Sequence, residues 1–341
     1  MLTCTSMLQP VMHSLKGKYI ILASGSPRRK ELIENIGLKV ELCPSLFEED
    51  LDPKSFKGFS EFVQETALQK VLEVENRLKL KGARPDIIIG ADTVVTFNGK
   101  THTVFTGVIV KSVDKLVKFT EHTDVTFGEI EDEQIKGYID TGEPMDKAGS
   151  YGIQGVQNFI CNMLQGLKVQ YHPSSFKEDL DPKSFKGFSE FVEETALKKV
   201  EEVEDTLKKK GITPDIIIGA DTVVTLDGSI FFKPQSKEEA FETLKRLSGK
   251  TNIVITGVVV KSCKVDKLVK FTEQIKVTFG EINDEQIKAY IDTGEPMDKA
   301  GSYGIQGLGG TFVQKVEGDY FAVMGLPQHK LCKVLYELVK Q

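Results

Sequence analysis

Apolar and polar positions along the chain follow two different periods. From Ser60 to about Gly82, the residues Val63, Ala67, Val71, Val74 and Leu78 recur at helical spacing, which predicts an amphipathic helix. Short β-branched runs at Tyr19 to Ala23, Asp86 to Ala91 and Ile253 to Lys261 predict strands, with Asp92 at the end of the second. Ser26 is a good N-cap and Pro27 suits the first helical position, so a helix opens at Arg28 and Arg29. Ser236 with Glu239 reads as a capping box for a helix over Glu238 to Leu247. Asn283 and Gln286 cap another helix that ends at Gly294, and Lys330 to Lys340 form a terminal amphipathic helix. Strands alternating with helices predict the α/β class.

The pattern also repeats. Glu49 to Thr96 matches Glu178 to Thr225 at an offset of 129, with 40 of 48 positions identical. VDKLVKFTE begins at Val113 and again at Val265, and DKAGSYGIQG begins at Asp146 and again at Asp298. A repeat this long is a duplicated domain rather than a solenoid unit. The N-terminal repeat spans residues 18–155 and the C-terminal repeat residues 166–341. Neither is complete. Only the first carries YIILASGSPRRKELIENIG, and only the second carries the 21 residues Ser229 to Gly249 and the tail from Leu308. Where those residues are missing, VVTFNGKTHTVF carries Asn98-Gly99, a turn signal that predicts a hairpin. The first repeat also has Leu72, Asn76 and Leu80 where the second has Glu201, Asp205 and Lys209, an apolar stripe expected to pack on something extra.

Composition narrows the class. The 341 residues are 40% hydrophobic and 28% charged, an ordinary globular balance. A net charge of -6 makes the chain a poor bulk ligand for nucleic acid or an anionic membrane. The five cysteines stand singly with no CxxC pair, which argues against a disulfide framework or structural zinc and for a reducing compartment. The longest nearly apolar stretch, Ile253 to Val260, is too short to span a bilayer, and no targeting segment is visible, so a cytoplasmic location is expected.

Three features could carry chemistry. Ser24-Gly-Ser-Pro-Arg-Arg29 places small residues and a helix N-terminus after a strand, a setting that favours phosphate. Two arginines in a first turn oppose the helix dipole, so an anion would compensate them; the plainer alternative is a solvated basic turn. GADT occurs at Gly90 to Thr93 and at Gly219 to Thr222. A carboxylate at the end of a buried parallel strand points into the crevice where α/β proteins bind ligands, and could hold Mg²⁺ or accept a proton; the alternative is a turn Asp. Lys70, Lys199, Lys233, Glu49 and Glu178 read individually as solvated charges. Gln154 and Gln306 sit in Gly-rich turns and suit the reading of a base edge.

Taken together, LASGSPRR, TALQK and TALKK, IIIGADTVV, FKP, GEPMDKAGSYGIQG and GDYFAVMGLP resemble the Maf family of nucleoside triphosphate pyrophosphatases. The GEPMDKAGSYGIQG wording is especially similar to the Maf-like domain of acetylserotonin O-methyltransferase-like proteins. The resemblance implies a Maf-like, inosine triphosphatase-like mixed sheet flanked by helices, here partially duplicated. It also implies cleavage of dTTP- or UTP-like nucleotides between the α and β phosphates with a divalent metal, Mg²⁺ or Mn²⁺. Carried over by motif, Asp92 or Asp221 is the proton acceptor. Ser24 and Ser26 shape the loop in which Arg28 and Arg29 bind the triphosphate. Lys70, Lys199 and Lys233 neutralise phosphate charge. Arg28, Thr93 or Thr222, and Gln154 or Gln306 match specificity positions. Glu49 or Glu178, with Asp221, would sit near the metal.

Because neither repeat holds every motif, two arrangements are expected to complete a site. The first strand and helix could complete the C-terminal repeat, joining Arg28 and Arg29 with Glu178, Lys199, Asp221, Lys233 and Gln306. Alternatively, two chains complement each other as a homodimer. A catalytically incomplete nucleotide-binding or regulatory protein is the second functional reading, and a wrongly joined product the third.

Overall fold

A computed structural model describes residues 12–98, 101–130, 132–151, 169–265 and 267–339. The chain divides into two units, residues 11–167 and residues 168–341.

In the N-terminal unit the apolar run folds as β1 (Ile20–Leu22), fully buried. Ser26 caps α1 (Pro27–Asn35) by accepting the Arg29 N–H, with Pro27 at its first turn. Next come β2 (Glu41–Leu42), the long α2 (Phe59–Leu80), β3 (Ile87–Asn98), β4 (Thr101–Ser112), β5 (Leu116–Thr126) and α3 (Asp132–Asp140). The sheet order is β2-β1-β3-β4-β5. β1 runs parallel to β2 and β3, and the remaining pairs are antiparallel. The expected hairpin is present, with β3 and β4 paired as far as Asn98 opposite Thr101. The apolar face of α2 (Ala67, Val71, Val74) packs on Ile21, Ala23, Ile88 and Ile109.

The C-terminal unit repeats the helix and the antiparallel strands as α4 (Phe188–Lys209), β6 (Ile216–Leu226) and β8 (Thr251–Ser262). It adds β7 (Ser229–Phe231) and α5 (Lys237–Leu247) between β6 and β8. β9 (Lys267–Phe279), α6 (Asp284–Asp292), β10 (Val313–Glu317), α7 (Tyr320–Val323) and α8 (Gln328–Val339) follow. The order is β10-β9-β8-β6-β7, antiparallel throughout. The inserted helix is structural: Ala240, Leu244 and Leu247 enter a core with Val254, Ile275, Phe279, Ile287, Tyr290 and Phe312. Each fully buried leucine of this kind contributes about 1.5–3 kcal/mol. Without that helix and tail, β5 is largely exposed, whereas β9 alternates buried and open positions.

Three expectations change. β3 and β6 do not stop at the GADT aspartate; the β-branched run after it continues both strands, so Asp92 and Asp221 lie mid-strand. β6 also has no parallel neighbour among the described residues. Finally, Asn76 and Leu80 are exposed, so the apolar stripe on α2 covers nothing there.

Candidate active site

The site begins with a glycine. A Cβ at Gly90 would stand 2.4 Å from Val71 Cγ2 and 2.8 Å from the Ala67 carbonyl oxygen. Gly219 meets Val200 and Ala196 in the same way, at 2.6 and 2.9 Å. Glycine therefore lets the long helix lie directly on the strand. Asp92 is two residues beyond Gly90 and shares its face, while Lys70 precedes Val71 on the helix. The result is a buried ion pair, with Lys70 Nζ 2.7 Å from Asp92 Oδ1 and 2.8 Å from Glu49 Oε1. The C-terminal unit repeats it, with Lys199 Nζ 2.8 Å from both Asp221 Oδ1 and Glu178 Oε1.

Electrostatics distinguish the members of the C-terminal set. Burial raises the Asp221 carboxyl above the ordinary aspartate range; Lys199 and Lys233 oppose the rise and Glu178 adds to it. Burial works against the Lys199 ammonium, but Asp221 and Glu178 outweigh it and hold its pKa above the usual lysine value.

The arginine loop belongs to the N-terminal site. Arg29 donates through Nη1 to the Ala91 carbonyl at 2.7 Å and to Ser24 Oγ at 3.3 Å, and through Nη2 to Thr93 Oγ1 at 3.1 Å. Burial lowers its pKa, opposed by nearby Asp92 and Glu49. Ser24 also accepts the Ser26 N–H. Arg28 is exposed and pairs with Glu31 at 2.7 Å. Carbonyl and carboxylate groups of the chain itself thus compensate the two arginines. This corrects the arrangement in which the first strand completes the C-terminal repeat: β1 pairs with β3, and Arg29 is anchored on that strand.

In the C-terminal unit the GADT threonine is joined to the tail through its cross-strand neighbour. Thr222 Oγ1 lies 2.8 Å from Thr256 Oγ1, which donates to the Ala322 carbonyl at 2.7 Å. Lys233 is exposed and acts electrostatically on both Asp221 and Asp298. The segment before it is tied to the AGS turn by a Gly301 N–H to Phe232 carbonyl bond of 3.3 Å. Gln306 is exposed on the loop that follows. Gln154 lies outside the described residues.

Glu295 holds the Gln306 loop, a role not singled out from the sequence. Its carboxylate accepts the Tyr290 hydroxyl at 2.8 Å and the Leu308 and Gly309 N–H groups, both at 3.0 Å. Gly307 is required beside it, because a Cβ would approach Glu295 Oε2 to 2.5 Å. The signal was GLGG following GIQG, which the N-terminal repeat lacks. There the matching Glu143 has two buried carboxylate oxygens with no hydrogen-bond partner among the described residues.

The fold and these sites define an α/β protein with a twice-built carboxylate–lysine–carboxylate centre on a strand beneath a long helix. The chain belongs to the Maf-like protein family, which matches residues 19–100, 96–166 and 161–338. A human "Probable bifunctional dTTP/UTP pyrophosphatase/methyltransferase protein" is 44% identical over 180 residues, 51% of this chain and 29% of that protein. A "dTTP/UTP pyrophosphatase" of Clostridium perfringens (strain SM101 / Type A) is 47% identical over 174 residues, 51% of this chain and 88% of its own. One from Bacillus pumilus (strain SAFR-032) is 53% identical over 120 residues, 35% of this chain and 62% of its own. A crystallised Vibrio cholerae protein covers 44% of this chain and 78% of its own, but at 10% identity and a TM-score of 0.25 it carries no argument.

Proposed function

We propose that the chain is a nucleoside triphosphate pyrophosphatase that hydrolyses dTTP- and UTP-like nucleotides to the monophosphate and pyrophosphate. One observation carries this reading. Lys199 brings two carboxylates, Asp221 and Glu178, to one point beside β6. The relatives' names, dTTP/UTP pyrophosphatase, support the substrate class.

In this reading Asp221 takes the proton from a water whose oxygen attacks the α-phosphorus. The bond from that phosphorus to the α–β bridging oxygen breaks, and pyrophosphate leaves with the electron pair. Burial suits Asp221 to the role, because a raised carboxyl is a better proton acceptor near neutrality. Lys199 and Lys233 neutralise phosphate charge, and Arg28 and Arg29, positioned by Ser24 and Ser26, would grip the triphosphate tail once two chains pair. Thr222 and Gln306 border the base. Asp92, Glu49, Lys70, Thr93 and Gln154 are the corresponding groups of the N-terminal repeat, whose site lacks the Lys-Pro segment and the tail.

A divalent cation fits the donor set. Glu178 and Asp221 converge on one ammonium, and two hard oxygen donors plus substrate phosphates are what Mg²⁺ or Mn²⁺ uses. No cluster of three or more His, Cys, Asp or Glu side chains suited to a metal occurs among the described residues, so phosphate oxygens would complete the shell. When bound, the cation would neutralise charge developing on the phosphates.

A cytoplasmic setting accords with free thiols at Cys43, Cys263 and Cys332. No described helix is long and apolar enough to cross a membrane. Nucleotide is the expected partner, with no nucleic acid or membrane, and pairing of two chains belongs to this reading because the motifs are divided between repeats.

Hydrolysis of dTTP in ¹⁸O-water tests the reaction. Label in the monophosphate alone is the expected outcome. Label in pyrophosphate or orthophosphate would place the attack on the β- or γ-phosphorus and overturn this reaction, and binding without turnover would favour the incomplete nucleotide-binding protein instead.

A further inference from the structure

The N-terminal unit contains a slot for a strand, and the slot is filled. β1 lies between β3 and β2, with Ile20, Ile21 and Leu22 opposite Ile87, Ile88 and Ile89, and with Ile21 and Leu22 opposite Glu41 and Leu42. The β3 wall recurs in the C-terminal repeat, and so does the approach to the β2 wall. Asp86 to Thr93 returns unchanged as Asp215 to Thr222, and the GLKV that leads into β2 returns at Gly166 to Val169. The strand between them does not. β7 pairs only with Val224 to Leu226, so on that edge Ile216 to Val223 pair with nothing among the described residues. The exposure follows. Ile218 is 43% exposed, and Val169 and Tyr171, at the positions of Val40 and Leu42, are 85% and 88% exposed. The cluster of Ala196, Val200, Ile217 and Val259 reproduces that of Ala67, Val71, Ile88 and Ile109 without Ile21 and Ala23.

We infer that the open edge of β6 receives β1 and α1 of a second copy of this chain, in the register that β1 makes with β3. The identical edge already shows which strand it fits. Docked there, Arg29 would find the Ala220 carbonyl and Thr222 hydroxyl as it finds those of Ala91 and Thr93. Arg28, Arg29 and Ser24 would then stand beside Asp221, in the repeat that has Lys233 and Gln306. The β3 and β6 edges have the same sequence from Asp86 to Thr93 and from Asp215 to Thr222, so pairing on that side favours neither. Docking within the chain benefits from an effective concentration on the order of mM, roughly a hundredfold above chains at about 10 μM. The exchange is therefore driven by ligand: a triphosphate meets the arginines and Lys233 together only in the exchanged dimer. This inference rests on the triphosphate reading of the site.

The full chain at about 10 μM is examined by sedimentation equilibrium with Mg²⁺ and the α,β-imido analogue of dTTP, a stable stand-in for substrate. The expected result is a species of twice the 37.9 kDa chain mass, reverting to monomer in Ile218→Lys, a change at an exposed position that leaves the fold intact. A monomer with the analogue present, or a dimer indifferent to Ile218→Lys, overturns the inference whether or not the protein is an enzyme. A mixing assay separates the two readings. Arg29→Ala chains and Asp221→Asn chains, each inactive alone, should regain about a quarter of wild-type dTTP turnover when mixed, because half the dimers are mixed and each of those holds one intact site. No regain beside an active wild type overturns the exchange and leaves the function standing. A dimer that forms normally while wild type is inert overturns the function and leaves the exchange standing.

Discussion

Lys199 and Asp221 stand 2.8 Å apart, Nζ to Oδ1, across 22 residues of chain; Lys70 and Asp92 hold the same relationship at 2.7 Å. Helix and strand are locked in register by a glycine, so the cation meets the carboxylate in both repeats. Such a pair is costly to break, because the surviving partner is left as a buried charge. Burial raises the proton affinity of the group proposed to act as base, and this pair opposes the rise.

The pH dependence follows from the sign of that effect. Asp221 must be ionised to accept a proton, and burial holds its carboxyl above the ordinary range despite Lys199. kcat/KM should therefore fall as pH drops through this raised value. Lys199→Gln removes the opposing cation and should move the acid limb higher still. A pH–rate profile of the two proteins checks this; a limb that moves down in Lys199→Gln contradicts it.

Glu295 and Glu143 occupy the same GEPMD sequence but have different partners among the described residues. Glu295→Ala strips the Leu308 and Gly309 N–H groups and the Tyr290 hydroxyl of their acceptor. At about 1–3 kcal/mol for each buried group left unpaired, the cost should be at least about 3 kcal/mol, seen as a lowered urea midpoint. Glu143→Ala removes two buried oxygens without partners among the described residues and should be neutral or stabilising. Equal losses from both substitutions would contradict the structure.

Gly219→Ala should loosen the helix from the strand. Its Cβ would sit 2.6 Å from Val200 Cγ2 and 2.9 Å from the Ala196 carbonyl oxygen, contacts that require α4 to shift. Overpacking of this kind costs about 1–3 kcal/mol. Because Lys199 adjoins Val200, turnover should fall further than Lys199→Arg makes it fall. The comparison needs only thermal melts and initial rates.

Much of this arrangement was legible in the sequence. The Ser26 cap with Pro27, the hairpin closing at Asn98 and Thr101, and the Asn283–Gln286 capping box are local features, and local chemistry decides them. The continuation of β3 past Asp92 is also carried by its β-branched run, Thr93 to Thr96, which outweighs the aspartate's low strand preference. Convergence of Lys199, Asp221 and Glu178 depends on how closely α4 lies on β6, and residue spacing alone does not show that. The choice of β1 between two identical edges was not readable either, because Asp86–Thr93 and Asp215–Thr222 are the same sequence. Closing the shorter loop favours the nearer edge. Which glutamate finds loop partners among the described residues follows from a GLGG that only one repeat has.

The most direct test of the central claim is dTTP turnover by the full-length chain, with Mg²⁺, as wild type, Asp221→Asn and Asp92→Asn. If Asp221 is the proton acceptor, Asp221→Asn loses activity by about 10²–10⁴-fold while Asp92→Asn retains it. Full activity in Asp221→Asn, or its loss in Asp92→Asn alone, would contradict the account and place the chemistry in the N-terminal repeat.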